Sequence, residues 1–195
     1  MTTVGLRERH KVQRIRQILD ATRSLLREEG DESPSVERIA ERAEVAPATV
    51  YNLVGPRERI LAALADELLQ ELERRIEAMP AGDPHARARS IVAEAADLTC
   101  ADPRVHRHML SSWRWSGRLL HRNPTSHLRE CLQAAVGEGS LRDDLDLGTL
   151  ADLVATACIG AAHQWAAELI DDGTFRSRCV MAVDIVFAAA QSAGD

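Results

Sequence analysis

Apolar residues near the start of the chain recur at helical spacing. Ile15, Ile18, Leu19, Thr22, Leu25 and Leu26 fall at i, i+3, i+4, i+7, i+10 and i+11, one stripe of a helix. That stripe predicts a helix from about 8 to 29, stopped by Gly30. Ser35 is placed to N-cap a short helix from Val36 to Ala43, with Val36, Ile39 and Ala40 inward. A three-residue break, Glu44-Val45-Ala46, leads into a second short helix opening on Pro47, a favoured first helical residue. Gly55-Pro56 interrupts, and a long helix follows from about 57 to 78 with Ile60, Leu61, Leu64, Leu68, Leu72 and Ile76 on one face.

Pro80, Gly82 and Pro84 mark the clearest break in this pattern. Asp83-Pro84, Asp102-Pro103 and Asn123-Pro124 repeat one signature, a capping side chain before proline, and place helix starts near 84, 103 and 124. Gly137 to Asp146 reads as a polar loop. Two last helices, about 147–171 and 174–192, are separated by Asp171-Asp172-Gly173. About nine helices and no alternating segment predict an all-α chain with two domains, 1–56 and 57–195.

Two short helices joined by a three-residue turn form a helix-turn-helix. The second helix exposes Pro47, Ala48, Thr49, Tyr51 and Asn52. Its small residues allow close approach to a major groove, and its N-terminal end favours phosphate. Thr49 and Tyr51 offer hydroxyls to phosphates. Asn52 is the side chain able to pair bidentately with adenine, or else to hydrate a phosphate. Arg57 is placed to reach phosphate as a charged donor. With Ser35 and Ala46 at the two helix starts, the candidate DNA-contacting set is Ser35, Ala46, Pro47, Ala48, Thr49, Tyr51, Asn52 and Arg57.

Net charge at first opposes that picture: 24 basic against 30 acidic residues leave −6. The charge is unevenly placed. Residues 1–16 hold Arg7, Arg9, Lys11, Arg14 and Arg16 against Glu8 alone, while residues 61–195 hold 13 basic and 20 acidic residues. A basic arm leads an acidic body, so the total does not exclude DNA. No apolar run approaches the ~20 residues of a membrane span. The polar, basic opening stretch predicts no secretory leader. The four cysteines form no C-x-x-C pair and predict buried, reduced thiols, hence a cytoplasmic chain.

ILDATRSLLREEG followed by IAERAEVAPATVYNLVGPRERIL resembles the tetracycline-repressor-type (TetR) family of bacterial transcriptional regulators. The resemblance covers roughly residues 10–62 and extends loosely to GEGSLRDDLDL. Its marks are Ile39-Ala40, Thr49-x-Tyr51 and Arg57-Glu58. By resemblance, Thr49, Tyr51 and Arg57 hold DNA phosphates, and the rest of the chain binds an effector and dimerises. The chain departs from the family pattern at four places. Glu44 stands where the turn usually has glycine, a position of strain worth ~1 kcal/mol or more. Ala46 replaces the usual capping serine, Val54 the usual aromatic, and Arg57 the usual lysine.

The last two helices are rich in alanine and apolar around much of their circumference, which suggests burial on two sides. One side can face the body and the other a two-fold partner, with Val154, Ala157, Ala161, Val183 and Phe187 as interface candidates. A purely intramolecular core is the alternative. For a small-molecule effector the candidates are Met109, Trp113, Trp115 and Trp165, an aromatic cluster in a chain with 3% aromatics. The same stripe also reads as core. His106, His108, His121 and His127 cluster in sequence, but His106 and His108 point apart on a helix and no metal-ligand spacing occurs. No phosphate-cradling glycine loop or nucleophile elbow is present, so the sequence predicts neither metal, cofactor nor catalysis.

The sequence therefore predicts a homodimeric repressor that binds a double-stranded operator and is released by a small molecule, with no membrane partner. A regulator of the same fold without an effector is the alternative. So is a helical enzyme or binding protein with a vestigial helix-turn-helix.

Overall fold

A computed structural model of the chain describes residues 5–28, 34–111 and 124–191. Among them are nine α-helices: α1 Leu6–Glu28, α2 Val36–Arg42, α3 Pro47–Leu53, α4 Arg57–Ala78, α5 Pro84–Cys100, α6 Pro103–Ser111, α7 Pro124–Gly137, α8 Leu147–Ala166 and α9 Asp172–Ala189. The only β-type pairing among the described residues is an isolated bridge, Leu141 with Gln191. The chain divides into two compact units, Met1–Glu67 and Leu68–Asp195, with the division inside α4.

The first unit is a head in which α1, α2 and α3 close on one small core. Ile18, Leu25 and Leu26 of α1, Ile39 of α2, Val50 of α3 and Ile60 of α4 are essentially fully buried. Thr22 sits among them because its hydroxyl donates to the Ile18 carbonyl at 2.8 Å, which satisfies its polar group without breaking the helix. Arg23 ties α1 to α4, bonding Asp20 at 2.8 Å and also Glu67. Arg42 of α2 grips Glu28 of α1 through both carboxylate oxygens, at 2.9 and 2.7 Å. That contact holds the Glu28 carboxyl below its usual range.

The second unit is a helical body. Its core gathers Leu72 and Ile76 of α4, Ile91 and Ala96 of α5, Leu132 of α7, Val154 and Trp165 of α8, and Val183 and Phe187 of α9. Outside it, α5 and α9 are joined through Asp184: His85 Nε2 lies 2.8 Å from this carboxylate and Arg89 donates to it at 2.9 and 3.0 Å. The His85 ring also stacks on Phe187, centroids 4.5 Å apart.

Helix starts follow the aspartates. Asp83 accepts from the Ala86 amide, Asp146 from Gly148 and Thr149, and Asp171 from Thr174. The helix expected to 171 ends at Ala166, because Glu168 turns into the left-handed region at φ 58°. Its amide bonds the Trp165 carbonyl, and the Leu169 amide bonds that of Gln164. These two bonds close a Schellman cap and stop the helix. The last helix accordingly begins earlier than expected, at Asp172, and ends at Ala189.

Candidate nucleic-acid interface and regulatory body

The turn between α2 and α3 is built on the same cap. The Glu44 amide bonds the Glu41 carbonyl at 3.1 Å and the Val45 amide bonds that of Ala40 at 2.9 Å. Glu44 sits at φ 54°, so a glutamate occupies the left-handed position that glycine fills at least cost. Ser35 is spent on the start of α2, its hydroxyl accepting from the Arg38 amide at 3.3 Å. Ala46 begins α3 without any side-chain cap, and Pro47 occupies the first turn with no amide to satisfy.

Val50, fully buried, anchors α3 to the head. On the outer side Ala46, Pro47, Ala48, Tyr51 and Asn52 are exposed, and Thr49 is half-buried. Tyr51 keeps 49% of its surface in solvent, unusual for a large aromatic ring with no cover. Gly55, at φ 118°, makes the turn into α4; a Cβ there would meet Arg59 Cδ at 2.9 Å. Arg57, the first residue of α4, is exposed, as is Arg59. Arg59 was not among the expected contacts; its basic side chain at the start of α4 was the available signal. The head thus offers small residues for close approach, two hydroxyls, one amide and two guanidiniums on adjoining elements. This is chemistry suited to phosphates and base edges.

In the body, two of the four expected ligand-contacting residues, Met109 and Trp165, fall among the described residues. Met109 is buried in α6. Trp113 and Trp115, like His121, lie outside the described residues. Trp165 is fully buried. Its indole donates to Asp172 at 2.7 Å, stacks on Phe175 at 5.8 Å, and lies under the Arg107 guanidinium at 4.9 Å. Trp165 is thus a core residue with no open face, and Arg107, which also pairs with Glu168, is the polar group that covers it. Of the expected dimer residues, Val154, Ala161, Val183 and Phe187 turn into the body's own core, whereas Ala157 is exposed. The outward positions carry Leu153, Met181 and Ile185, each more than half exposed.

Three of the thiols resist ionisation. Burial and the neighbouring Asp172 carboxylate push the Cys100 thiol up to about 11. Burial raises Cys131, and a hydrogen bond with Cys158 together with burial raises Cys179. All four are free thiols. His106 bonds the Thr99 carbonyl at 2.7 Å and His127 meets Glu130 at 3.3 Å. Among the described residues no group of His, Cys, Asp and Glu is arranged to hold a metal. Nor is any helix there long and apolar enough to cross a membrane.

A helix-turn-helix head and a helical body are the two parts from which a large class of DNA-binding transcriptional regulators is built. Residues 18–64 match the family model of bacterial regulatory proteins of the tetR family. The transcriptional regulator BetI of Burkholderia ambifaria is 29% identical over 192 residues, covering 85% of this chain and 96% of that protein. In structure the chain is similar to the Thermus thermophilus repressor FadR, solved with lauroyl-CoA. The TM-score is 0.75 at 18% identity, over 93% of this chain and 97% of that one. It is also similar to SmeT, repressor of a Stenotrophomonas maltophilia multidrug efflux pump, with TM-score 0.70 at 22% identity over 92% and 91%. Residues 18–64 thus carry the DNA-binding region typical of tetR-family regulators, and the chain as a whole is similar to transcriptional regulators of that kind.

Proposed function

We propose that the chain is a homodimeric cytoplasmic repressor whose two α3 helices enter successive major grooves of a quasi-palindromic operator, about one turn or ~34–36 Å apart. A small molecule taken up by the body releases it. The observation that carries this reading is α3 itself. Buried Val50 fixes it in the head, while the side chains of Tyr51 and Asn52 are held out in solvent with no hydrogen-bond partner among the described residues. Thr49, Tyr51, Arg57 and Arg59 take phosphates, Asn52 reads a base edge, and Ala46, Pro47 and Ala48 allow the backbone close approach. Ser35 acts by fixing the start of α2. The ligand-bound FadR structure and the efflux-pump repressor SmeT support the effector and repressor parts of the reading. Effector binding shifts α4 and with it the spacing of the two heads, and DNA affinity falls by the difference in effector affinity between the two states.

The test is fluorescence anisotropy with duplexes that the full chain selects from a random-sequence library. Arg57→Ala and Tyr51→Phe should weaken binding alike across sequences, and Arg57→Ala should flatten the dependence of log K on log salt by about 0.9 for each head bound. Asn52→Ala should change the preferred base at one position, where a direct contact is worth ~1–3 kcal/mol. An Arg57→Ala chain with unchanged affinity and salt slope would remove the phosphate assignment.

A further inference from the structure

Helix α1 is longer than the head needs. Its seam toward the core runs through Ile18, Thr22 and Leu25, each no more than 1% exposed. Followed toward the N-terminus at the same i+3/i+4 spacing, that seam continues through Arg14, Lys11 and Arg7, and all three are exposed. The face that is apolar where α1 packs on the head becomes basic where α1 runs out beyond it. These cations therefore lie on the side of α1 that carries the helix-turn-helix, rather than on its back.

Like Arg9, Arg16, Arg57 and Arg59, these cations lack the close ion pairs that fix other arginines among the described residues. Arg23 pairs with Asp20 and Glu67, Arg42 with Glu28, Arg89 with Asp184, Arg107 with Glu168 and Arg176 with Asp97. Among the described residues no carboxylate pairs with Arg7 or Arg14, and Lys11 meets only Glu8, loosely, at 3.9 Å. Like charges at i+3 and i+4 disfavour a helix. Three on one line, each in water, gain nothing from the folded chain. They are suited to a partner bearing a row of negative charge. Along the axis they are spaced by about 6 and 4.5 Å at 1.5 Å per residue, a span that about three phosphate steps of one strand cover at ~3.4 Å per charge.

We propose that the first turns of α1 are a second DNA contact, outside the helix-turn-helix, in which Arg7, Lys11 and Arg14 neutralise phosphates flanking each half-site. The inference rests on the DNA-binding reading above. It adds affinity without sequence information and makes the bound site longer than the two recognition helices require.

The full-length chain is titrated onto a fluorescein-labelled duplex recovered from a random-sequence library, and onto the same duplex trimmed to the span of the two recognition helices. The variant Arg7→Gln/Lys11→Gln/Arg14→Gln, all at exposed positions, should flatten the salt slope by two to three units for each head bound, at about 0.9 for each phosphate no longer neutralised. Its order of sequence preference should stay unchanged. Trimming should weaken the unmodified chain and leave this variant indifferent. An unaltered slope together with an unaltered response to trimming overturns the proposal, leaving these cations as solvated surface. The control Arg9→Gln/Arg16→Gln, on the opposite face, should leave the slope in place; an equal loss there overturns the seam assignment in favour of diffuse charge. Binding that depends on Arg57 but not on the seam defeats this inference alone. A chain that selects no duplex defeats the DNA-binding reading with it.

Discussion

Two glutamates carry the backbone strain of the described residues. Glu44 and Glu168 are the only non-glycine residues among them with positive φ, at 54° and 58°. Each sits at the same point of a Schellman cap. Gly139 fills the corresponding point after α7, where the Gly139 and Ser140 amides bond the Val136 and Ala135 carbonyls. The strain at Glu44 was legible through the resemblance, because the family's turn usually has glycine where Glu44 stands. The strain at Glu168 was not, since nothing in Ala167-Glu168-Leu169 marks a stop. Glu44→Gly should stabilise the chain by about 1 kcal/mol, the left-handed penalty less the entropy glycine adds to the unfolded state. Chemical denaturation with an unchanged m-value measures this. A destabilised variant would mean that the Glu44 side chain makes up for its backbone.

Among the elements, starts were easier to read than ends or faces. An aspartate before the first turn has one job, to accept the free amides there; Asp83 does so where the sequence placed it, and Asp146, read only as the end of a loop, does so at the expected start near 147. Asp146 and Asp171 are held below the usual carboxylate range, Asp146 first by the Thr149 hydroxyl and Asp171 first by the Thr174 amide. Their folded values are depressed, so their contribution is present above the unfolded value near about 4 and is lost as pH falls through the folded value. Replacing both by asparagine keeps a capping oxygen but removes the titration. Thermal melts from neutral to acid pH should then fall less steeply below about pH 4 than those of the unmodified chain. Parallel curves would show that other carboxylates govern the acid limb. The faces of α8 and α9 were hidden for a different reason. Both helices are alanine-rich and apolar nearly all round, so periodicity does not choose between neighbouring stripes. Val154, Ala161, Val183 and Phe187 turned out to be the inner stripe, and Leu153, Met181 and Ile185 the outer one.

For the whole molecule, that outer stripe is where two-fold assembly can be tested. Leu153 and Ala157 on α8, and Met181 and Ile185 on α9, are spaced i, i+4 and exposed. Burying such side chains against a second copy is worth ~1.5–3 kcal/mol each. Ile185→Glu should give a folded monomer by sedimentation and weaken DNA binding, because the two half-sites are no longer gripped together; a dimeric variant places the interface elsewhere. A charge at Val183 would not serve, as that residue is in the body's own core. The uneven charge of the chain suits this assembly: acidic surface on the body disfavours DNA everywhere except at the heads. Lastly, Tyr51 is the sole tyrosine of the chain and stands uncovered on α3. Uniform incorporation of 3-fluorotyrosine would therefore place a single fluorine nucleus in each copy, on the α3 surface proposed to meet the operator. One resonance in the complex would report two equivalent heads, and two would report that an imperfect palindrome holds them differently.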